Sequence, residues 1–374
     1  MRIKAAVLHV QGAPRPYAQS RPMTIEEVEL DPPGPHEVLI RVGAAGLCHS
    51  DLSTIENLRP RPLPIVIGHE GAGVVEAVGE GVSDLARGDH VVCLFVSACG
   101  HCRPCVRGKP NICEGGFAAR AVGTLPSGQR RLRWQGREVN HGSGLALFAE
   151  YTVVDRSALV KIERDIPLQD AALFGCAVMT GAGAVLNTAA LKAGDEIAII
   201  GLGGVGMCAL MAAVTGGAAR IVVVDTQASK LALARQWGAT DTFDATDPDC
   251  AARIREATRG GLDTVVETAG ALAALNLAYA ITARGGQVVT AGLPHINATF
   301  QFTPNALVSD EKSIRGSYMG SCVPPRDIPR FLALYRQGKL PVERLRQGVV
   351  GLDGLNAGFD RLAEGEVLRQ MLVP

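Results

Sequence analysis

The chain has 374 residues, too many for one ordinary hydrophobic core, so two domains are expected. Its 37 basic and 37 acidic residues balance, which excludes the strong net charge that indicates a nucleic-acid or membrane-surface partner. Hydrophobic residues make up 47% of the chain, as in a well-packed protein, and no apolar run approaches the ~18 residues of a membrane span. The N-terminus is too short and mixed in character for a signal peptide, so we expect a cytoplasmic location.

Residues 1–90 contain short β-rich runs, such as EVLIRV at 37–42 and GVVEAV at 73–78, which are separated by proline and glycine. They predict a mainly antiparallel β domain. Two polar segments interrupt the pattern, GLCHSD at 46–51 and GHEGAG at 68–73. Alone, Cys48 fits an ordinary buried thiol and His69 a satisfied loop histidine. With Cys176 they form a Cys₂His set, which binds catalytic zinc and leaves one coordination position open, although spacing alone does not bring them together.

Four of the ten cysteines have the spacing C-x2-C-x2-C-x7-C, at Cys99, Cys102, Cys105 and Cys113. Clustered cysteines in a reducing compartment indicate a metal site before a disulfide, and four thiolates close the shell of a structural zinc ion. An iron–sulfur cluster needs different spacing. A nucleic-acid-binding zinc ribbon is the other alternative, but we interpret Arg103, Arg107 and Lys109 as solvated. Residues 97–115 are therefore predicted to be a structural zinc lobe, with His101 exposed.

Residues 114–145 are polar and rich in glycine and arginine, which predicts a long surface excursion. From residue 168 onward, predicted helices alternate with apolar strands, and the first of these helices covers 169–191. The alternation predicts an α/β unit with a doubly wound parallel sheet.

The segment EIAIIGLGGVG at 196–206 ends an apolar strand and opens a helix-forming stretch. It has G-x-G-x-x-G spacing at Gly201, Gly203 and Gly206, with Gly204 and Val205 between the last two glycines. The bare pattern is weak evidence, but Asp225 ends the next strand 19 residues later, and this context predicts a dinucleotide site. Asp225 can bind the ribose hydroxyls of NAD and no arginine follows it, so NAD is predicted over NADP. Lys230 could approach the adenosine ribose, with a solvated lysine as the alternative.

Together these motifs resemble the zinc-dependent medium-chain alcohol dehydrogenases over essentially the whole chain, within them the class I/III-like, bacterial-type aryl, allyl and alkyl alcohol dehydrogenases. Residues 68–82 match the family's zinc signature, G-H-E-x2-G-x5-G-x2-V, and the lobe and glycine turn follow in the family's order. The resemblance implies a GroES-like catalytic domain over 1–177, a Rossmann domain over 178–320, and a return to the first domain over 321–374.

The resemblance also implies two zinc ions per subunit, the catalytic one on Cys48, His69 and Cys176 and the structural one on the four lobe cysteines. Glu70 would lie behind the catalytic metal and approach it during ligand exchange, Asp51 would orient the liganding histidine, and Ser50 would pass on the alcohol proton. Many members continue this proton path to a histidine where this chain has Ser53, so we expect release through water or another group.

Further positions are implied to contact NAD: Thr180, Val205 and Leu293 near the nicotinamide, and His49 and Arg369 at the pyrophosphate. An exposed strand-end residue is the alternative for Arg369. The implied reaction is reversible hydride transfer between a primary alcohol and NAD, giving the aldehyde.

Phe95 matches an aromatic residue of the substrate pocket wall. Phe117 is also expected in the substrate pocket. It stands where the glutathione-dependent formaldehyde branch usually has an arginine, which argues against that branch. We expect a small-molecule substrate, a hydrophobic primary alcohol with allylic and aromatic alcohols included, and no nucleic-acid or membrane partner. The long 114–145 segment resembles that of homodimeric members, in which strands near 300–320 pair across subunits.

Two other functions fit parts of the sequence. A relative that holds NAD tightly and passes electrons to an external acceptor would carry the same zinc and glycine motifs. A non-catalytic NAD-binding or zinc-ribbon interaction protein is disfavoured, because it has no use for the Cys48, His69, Glu70 and Cys176 set beside a dinucleotide turn.

Overall fold

The computed structural model describes residues 1–374. Its strands are β1 (Arg2–Leu8), β2 (Met23–Leu30), β3 (Glu37–Gly46), β4 (Ile65–Val66), β5 (Glu70–Val78), β6 (His90–Cys93), β7 (Leu132–Trp134), β8 (Arg137–His141), β9 (Tyr151–Asp155), β10 (Leu159–Ile162), β11 (Glu196–Ile200), β12 (Arg220–Asp225), β13 (Asp241–Asp244), β14 (Leu262–Glu267), β15 (Thr282–Thr290), β16 (Ser313–Gly316), β17 (Arg346–Val350) and β18 (Arg369–Leu372). Its α-helices are α1 (Tyr17–Ser20), α2 (His49–Ile55), α3 (Arg103–Val106), α4 (Glu114–Ala121), α5 (Leu168–Leu173), α6 (Ala177–Gly183), α7 (Gly204–Thr215), α8 (Ala228–Gln236), α9 (Cys250–Ala257), α10 (Leu272–Ile281), α11 (Pro304–Ser309), α12 (Pro324–Arg336) and α13 (Leu355–Ala363). None of these helices combines the length and apolar character that a membrane crossing requires.

The chain divides into two compact units, of which the first comprises residues 1–176, 323–329 and 342–374. Strands β1, β2, β7, β8 and β4 close a barrel, and β10, β6, β5, β3, β18 and β17 form a second sheet in which β9 also pairs with β3. Only the β4–β8 and β17–β18 pairs are parallel, so the predicted mainly antiparallel domain is confirmed. Its core includes the β-branched side chains of Val7, Ile40 and Val75, which pack well on pleated strands.

The 114–145 segment is not the surface excursion that its polar composition predicts. It forms α4, β7 and β8, and Leu132 and Val139 lie fully buried in the core of the first unit. Because β7 pairs with β2 and β8 with β4, the segment closes the barrel. A charged residue of this segment need not lie in solvent, because Arg131 pairs with the buried carboxylate of Glu37.

The second unit comprises residues 177–322 and 330–341, so part of the predicted C-terminal return segment lies here. Its strands form one parallel sheet in the order β13-β12-β11-β14-β15-β16, which confirms the predicted doubly wound sheet. The apolar stretches 197–200 and 221–224 are buried throughout, as expected for central parallel strands covered on both faces. The strand order reverses beside β11, the position at which such sheets bind ligands.

The predicted helix over 169–191 is interrupted near Cys176. α5 ends at Leu173, and α6 starts at Ala177 and continues as a π-helical turn over Ala184–Thr188. A Cβ atom at Gly175 would lie 2.4 Å from the carbonyl oxygen of Cys93, so the backbone here passes directly against β6. The interruption leaves Cys176 between the two helices.

A buried ion pair joins the 114–145 segment to β3. Glu37 is 1% exposed, and its Oε2 accepts hydrogen bonds from Arg131 Nε at 2.7 Å and from the Gly34 amide at 2.8 Å. Its Oε1 accepts a third, from Ser127 Oγ at 2.8 Å. Removing the cation would leave a buried carboxylate without its charge partner, which costs about 3–5 kcal/mol.

We therefore expect Arg131→Leu to lower the Tm by several degrees, as measured by thermal unfolding. The matched control is Arg133→Leu, because the ion pair of Arg133 with Asp31 has side chains that are 41% and 36% exposed. Such an exposed pair contributes about 1 kcal/mol or less. Equal Tm values for the two variants would contradict a stabilising role for the buried pair.

Candidate metal and cofactor sites

Strand pairing brings the predicted catalytic zinc ligands together at the ends of neighbouring strands in the second sheet of the first unit. β3 and β5 are antiparallel with Gly46 opposite Glu70, so the residues after β3 and before β5 are neighbours. Cys48 precedes α2 on the first of these segments, and His69 lies on the second. On the other side of β5, Gly71 pairs with Cys93, the residue against which Gly175 packs. Cys176 is thereby brought to the same place.

The two thiols and the imidazole form a compact buried cluster, with all ligand atoms within 4.8 Å of one another. Nε2 of His69 lies 3.5 Å from Sγ of Cys176, while Nδ1 lies 2.9 Å from Oδ1 of Asp51. A carboxylate only accepts hydrogen bonds, so Nδ1 carries the proton and Nε2 is the nitrogen available as a ligand. The predicted orienting contact of Asp51 is thus present in the structure.

The backbone conformation at position 68, the first position of the zinc signature, requires a glycine. Its φ is +96°, and a Cβ atom there would lie 2.6 Å from the ring of Phe148. The Gly68 amide also donates to Oδ1 of Asp51 at 3.2 Å, so the same carboxylate oxygen holds both the turn and the imidazole. The glycine allows the chain to turn into His69 without a clash.

The electrostatic surroundings favour one thiolate at this cluster, on Cys48. A hydrogen bond from the Cys176 thiol lowers the pKa of Cys48 well below its usual range, with help from the charges of Arg369 and His69 and in spite of burial. The same hydrogen bond and burial raise the pKa of Cys176. One negative charge is therefore favoured before a metal binds, and a divalent cation would favour the second.

Arg369 lies behind the cluster and is 2% exposed, so the alternative of an exposed strand-end residue is wrong. Its Nε donates to Oε1 of Glu70 at 3.1 Å and its Nη2 to Sγ of Cys48 at 3.5 Å. Burial raises the pKa of Glu70 against the opposing charge of Arg369. The predicted contact of Arg369 with the pyrophosphate stays a prediction.

The four lobe cysteines also gather their Sγ atoms within 4.8 Å of one another, without His101, which is exposed. Backbone amides support the thiolates: Cys113 Sγ accepts from Cys99 at 3.2 Å and from Gly116 at 3.4 Å. Amide hydrogen bonds, the largest from His101, lower the pKa of Cys99 to about 6. Arg103, Arg107 and Lys109 are exposed, as expected of solvated cations.

Both donor sets fit zinc. Four thiols leave no coordination position for substrate, as in structural sites, whereas two thiols and one imidazole leave a tetrahedral position open, as in catalytic sites. All ten cysteines are free, so no disulfide competes for these thiols.

In the second unit, the glycine turn has the form predicted for a dinucleotide site. Gly201 has φ of +90°, and a Cβ atom at Gly206 would lie 1.8 Å from the carbonyl oxygen of Gly201. A Cβ atom at Gly203 would meet nothing within 4 Å, so the space in front of the N-terminus of α7 is open on this side. The carboxylate of Asp225 accepts hydrogen bonds from the Leu202 amide at 2.6 Å and the Gln227 amide at 2.9 Å, which fixes it beside the turn.

The other predicted site residues lie at the following positions. Ser50 and His49 are in the first turn of α2, where Ser53 Oγ donates to the His49 carbonyl at 2.9 Å. Thr180 is on α6, Lys230 on α8 and Val205 on α7, all half-buried. Leu293 follows β15 and is 51% exposed. Their predicted roles toward NAD and the alcohol proton stay predictions.

The two predicted pocket aromatics are joined by a residue that sequence reasoning missed. The rings of Phe95 and His69 meet edge to face, with centroids 5.4 Å apart. The guanidinium of Arg120 lies 4.5 Å from the ring centroid of Phe117 and 6.0 Å from that of Phe95. The available signal was the spacing on α4, because Phe117 and Arg120 are three residues apart and therefore share a helix face.

Comparisons with known proteins identify the family. Residues 34–164 match the family described as alcohol dehydrogenase GroES-like domain, and residues 204–337 match that described as zinc-binding dehydrogenase. An NDMA-dependent alcohol dehydrogenase from Amycolatopsis methanolica is 38% identical over 100% of this chain and 99% of that one.

Solved structures agree. An alcohol dehydrogenase zinc-binding domain protein from Burkholderia ambifaria has a TM-score of 0.93 at 37% identity, over 100% of this chain and 99% of that one. Benzyl alcohol dehydrogenase from Acinetobacter calcoaceticus has the same TM-score and coverage at 32% identity. The chain belongs to the zinc-dependent medium-chain alcohol dehydrogenases, with the GroES-like and Rossmann architecture that the sequence predicted.

Metal analysis by mass spectrometry should find two zinc ions per chain in the wild type. Cys176→Ser should retain only the lobe ion, and Cys105→Ser only the other, since each change removes one thiolate ligand. Cys250→Ser is the control, because Cys250 is buried outside both clusters and its loss should leave two ions. Two zinc ions in Cys176→Ser would contradict the assignment of the first cluster.

The glycine turn is tested by a matched pair of substitutions. Gly206→Ala should lower the Tm of nucleotide-free protein, because its Cβ would clash with the turn itself. Gly203→Ala should leave that Tm unchanged and weaken NADH binding by about 1–3 kcal/mol, because the added methyl group would meet the pyrophosphate. Fluorescence titration measures the binding, and unchanged NADH affinity in Gly203→Ala would reject the turn as the pyrophosphate site.

Proposed function

We propose that the protein is an NAD-dependent zinc alcohol dehydrogenase that interconverts a hydrophobic primary alcohol and its aldehyde. The observation that carries the proposal is the buried cluster of Cys48, His69 and Cys176, backed by Asp51, in a chain of a zinc-dependent dehydrogenase family. The non-catalytic alternative loses its basis with this family membership.

Each residue of the cluster has a separate proposed role. Cys48, His69 and Cys176 would hold zinc with one coordination position open, and Asp51 keeps the His69 proton on the nitrogen away from the metal. When bound, zinc supplies Lewis acidity toward an alcohol oxygen and NAD supplies the hydride acceptor. Ser50, two residues after Cys48, is the group proposed to receive the alcohol proton.

Glu70 and Arg369 provide a second layer behind the ligands. Arg369 donates to a ligand sulfur and to the Glu70 carboxylate at once, so it compensates negative charge on both. Glu70 is fully buried, and movement toward the metal would require it to give up this partner. We propose that the ion pair restrains Glu70 until ligand exchange.

NAD is the proposed dinucleotide. The Asp225 carboxylate is fixed by two backbone amides at the end of β12 and retains lone pairs for ribose hydroxyls, while its charge opposes a 2′-phosphate. His49 and Lys230 remain proposed contacts of the same cofactor. The predicted roles of Thr180, Val205 and Leu293 at the nicotinamide belong to this proposal too.

The substrate class rests on the aromatic wall beside the metal cluster. Phe95 presents its ring to His69, and Phe117 follows on α4, so an apolar alcohol body could pack against both. The similarity to benzyl alcohol dehydrogenase of Acinetobacter calcoaceticus supports an aromatic or allylic alcohol.

A second candidate function keeps NAD bound and uses an external electron acceptor. It is favoured by the Amycolatopsis methanolica relative, whose name describes an NDMA-dependent alcohol dehydrogenase. The same cluster and glycine turn would serve it.

Two further proposals concern the state of the protein. We propose a homodimer, supported by β16, which is an edge strand with mainly exposed residues and lies in the predicted pairing region. A single-chain mass in sedimentation equilibrium would reject it. We propose a cytoplasmic location, supported by ten free cysteines, as expected in a reducing compartment.

The test is a panel of primary alcohols assayed with free NAD on protein of measured zinc content. Benzyl and allylic alcohols should be oxidised with higher kcat/KM than ethanol, because they bury more apolar area against the aromatic wall. Cys176→Ser should lose activity, and Cys250→Ser is the matched control that should keep it.

Assay of NAD(H) released on denaturation separates the two candidates. Activity with added NAD and no released nucleotide supports the free-NAD enzyme. Stoichiometric released NAD(H), with turnover only in the presence of NDMA, supports the second. No turnover of any alcohol under either condition would reject both.

A further inference from the structure

Three hydroxyl groups form a hydrogen-bonded chain in the second unit, and none of them belongs to a predicted site residue. Thr188 Oγ1 donates to Ser321 Oγ at 2.9 Å. It also lies 2.8 Å from Ser317 Oγ, and because a hydroxyl has one proton, Ser317 is the donor in that pair. Thr188 and Ser317 are only 3% and 5% exposed, and buried hydrogen bonds in a chain strengthen one another. The chain joins the end of the π-helical turn to the segment that follows β16.

The π-helical turn over Ala184–Thr188 leaves the Thr188 hydroxyl available for these bonds. In an α-helix a threonine hydroxyl often donates to the carbonyl four residues earlier, which here would be that of Ala184. That carbonyl instead accepts the Ala189 amide at 2.8 Å, with the five-residue spacing of a π-helix. π-Helical turns occur frequently at functional sites. The hydroxyl of Thr188 is thereby directed to another segment of the chain.

The segment that receives these bonds, the 317–322 turn, has an unfavourable backbone conformation. Met319, Gly320 and Ser321 have φ of +50°, +62° and +51°, so three successive residues are left-handed. Residues with a Cβ atom adopt this conformation only where surrounding contacts hold them in it. The hydroxyl chain supplies such contacts on both sides of the turn, at Ser317 and at Ser321.

The 317–322 turn packs directly against α6. A Cβ atom at Gly320 would lie 2.1 Å from the Met179 carbonyl oxygen, so the two backbones touch. Sγ of Cys322 donates to the same carbonyl at 3.4 Å. Met179 directly precedes Thr180, which is predicted to lie near the nicotinamide. The turn therefore sets the position of the part of α6 that carries Thr180.

The turn also lies on the side of the sheet where a dinucleotide is expected. It follows the carboxyl end of β16, just as the glycine turn follows β11 and Asp225 ends β12. Ligands of open parallel sheets bind outside the carboxyl ends of the strands. The contacts that fix this turn can therefore affect how the cofactor is held.

We propose that Thr188 is a positioning residue for the nicotinamide end of NAD. Its hydroxyl holds the 317–322 turn in the left-handed conformation against α6 and thereby fixes Thr180. Because Thr188 is buried, it acts through the turn and not by contact with the cofactor. This inference rests on the proposed function, since it requires NAD to bind with its nicotinamide near Thr180.

The experiment compares the binding of NADH with that of ADP-ribose, which has the adenine, both riboses and the pyrophosphate but lacks the nicotinamide. Thr188→Val replaces the hydroxyl by a methyl group of similar size. It should weaken NADH binding by about twofold to thirtyfold, the range for residues that act through a neighbour, and leave ADP-ribose binding unchanged. Fluorescence titration gives the dissociation constant of NADH, and displacement of NADH by ADP-ribose gives the other.

Two further variants separate positioning from general stability. Thr188→Ser keeps the hydroxyl and should bind NADH as the wild type does. Thr282→Val removes another fully buried hydroxyl of the same unit, which donates to the Ala278 carbonyl at 2.7 Å, and should change neither affinity. If Thr188 has a structural role only, Thr188→Val will weaken the binding of NADH and ADP-ribose by the same factor, or of neither, and the proposal is overturned.

Ser317→Ala keeps the inference testable if Thr188→Val fails to fold. This variant removes the donor at one end of the chain and leaves the bond between Thr188 and Ser321 in place. NADH should again bind more weakly while ADP-ribose binding is unchanged. An equal change for both molecules would overturn the proposal while the NAD-dependent activity stands. Wild-type protein that binds neither molecule would instead reject the proposed function, and this inference with it.

Discussion

The antiparallel pairing of β3 with β5 is the constraint on which the rest of the metal chemistry depends. It sets Gly46 opposite Glu70, and therefore places the segment that carries Cys48 beside the segment that carries His69. One carboxylate, that of Asp51, then holds both the Gly68 turn and the imidazole. A change of register by one residue would displace the segment that carries Cys48 relative to the segment that carries His69, and it would separate the ligand atoms.

The segment around Cys176, the predicted third ligand, shows that packing can interrupt a stretch with a helical sequence pattern. Residues 169–191 have a helical pattern, yet the chain breaks between α5 and α6 because Gly175 lies against the Cys93 carbonyl. Sequence periodicity indicates local helix preference, and it carries no information about contacts with a strand that is distant in sequence. The same limit explains why the composition of 114–145 predicts a surface segment, since the buried carboxylate that pairs with Arg131 belongs to Glu37, about ninety residues away.

Motifs with fixed spacing were predictable for the opposite reason, since their function is local. The four lobe cysteines and the turn from Gly201 to Gly206 need only their own backbone to form, and the structure has both as predicted. Arg369 could be singled out from the sequence, but its contacts could not be predicted. Its resemblance to a pyrophosphate ligand identified an important arginine, but only the fold shows that it contacts Glu70 and Cys48.

The capping of α4 by Cys113 has a consequence for how this protein could change over evolutionary time. The helix that carries Phe117 and Arg120 starts at a cysteine that is predicted to bind zinc, so a change in lobe geometry would also move the aromatic wall. Substitutions or insertions within the lobe could therefore alter which molecules are accepted while Cys48, His69 and Cys176 stay untouched.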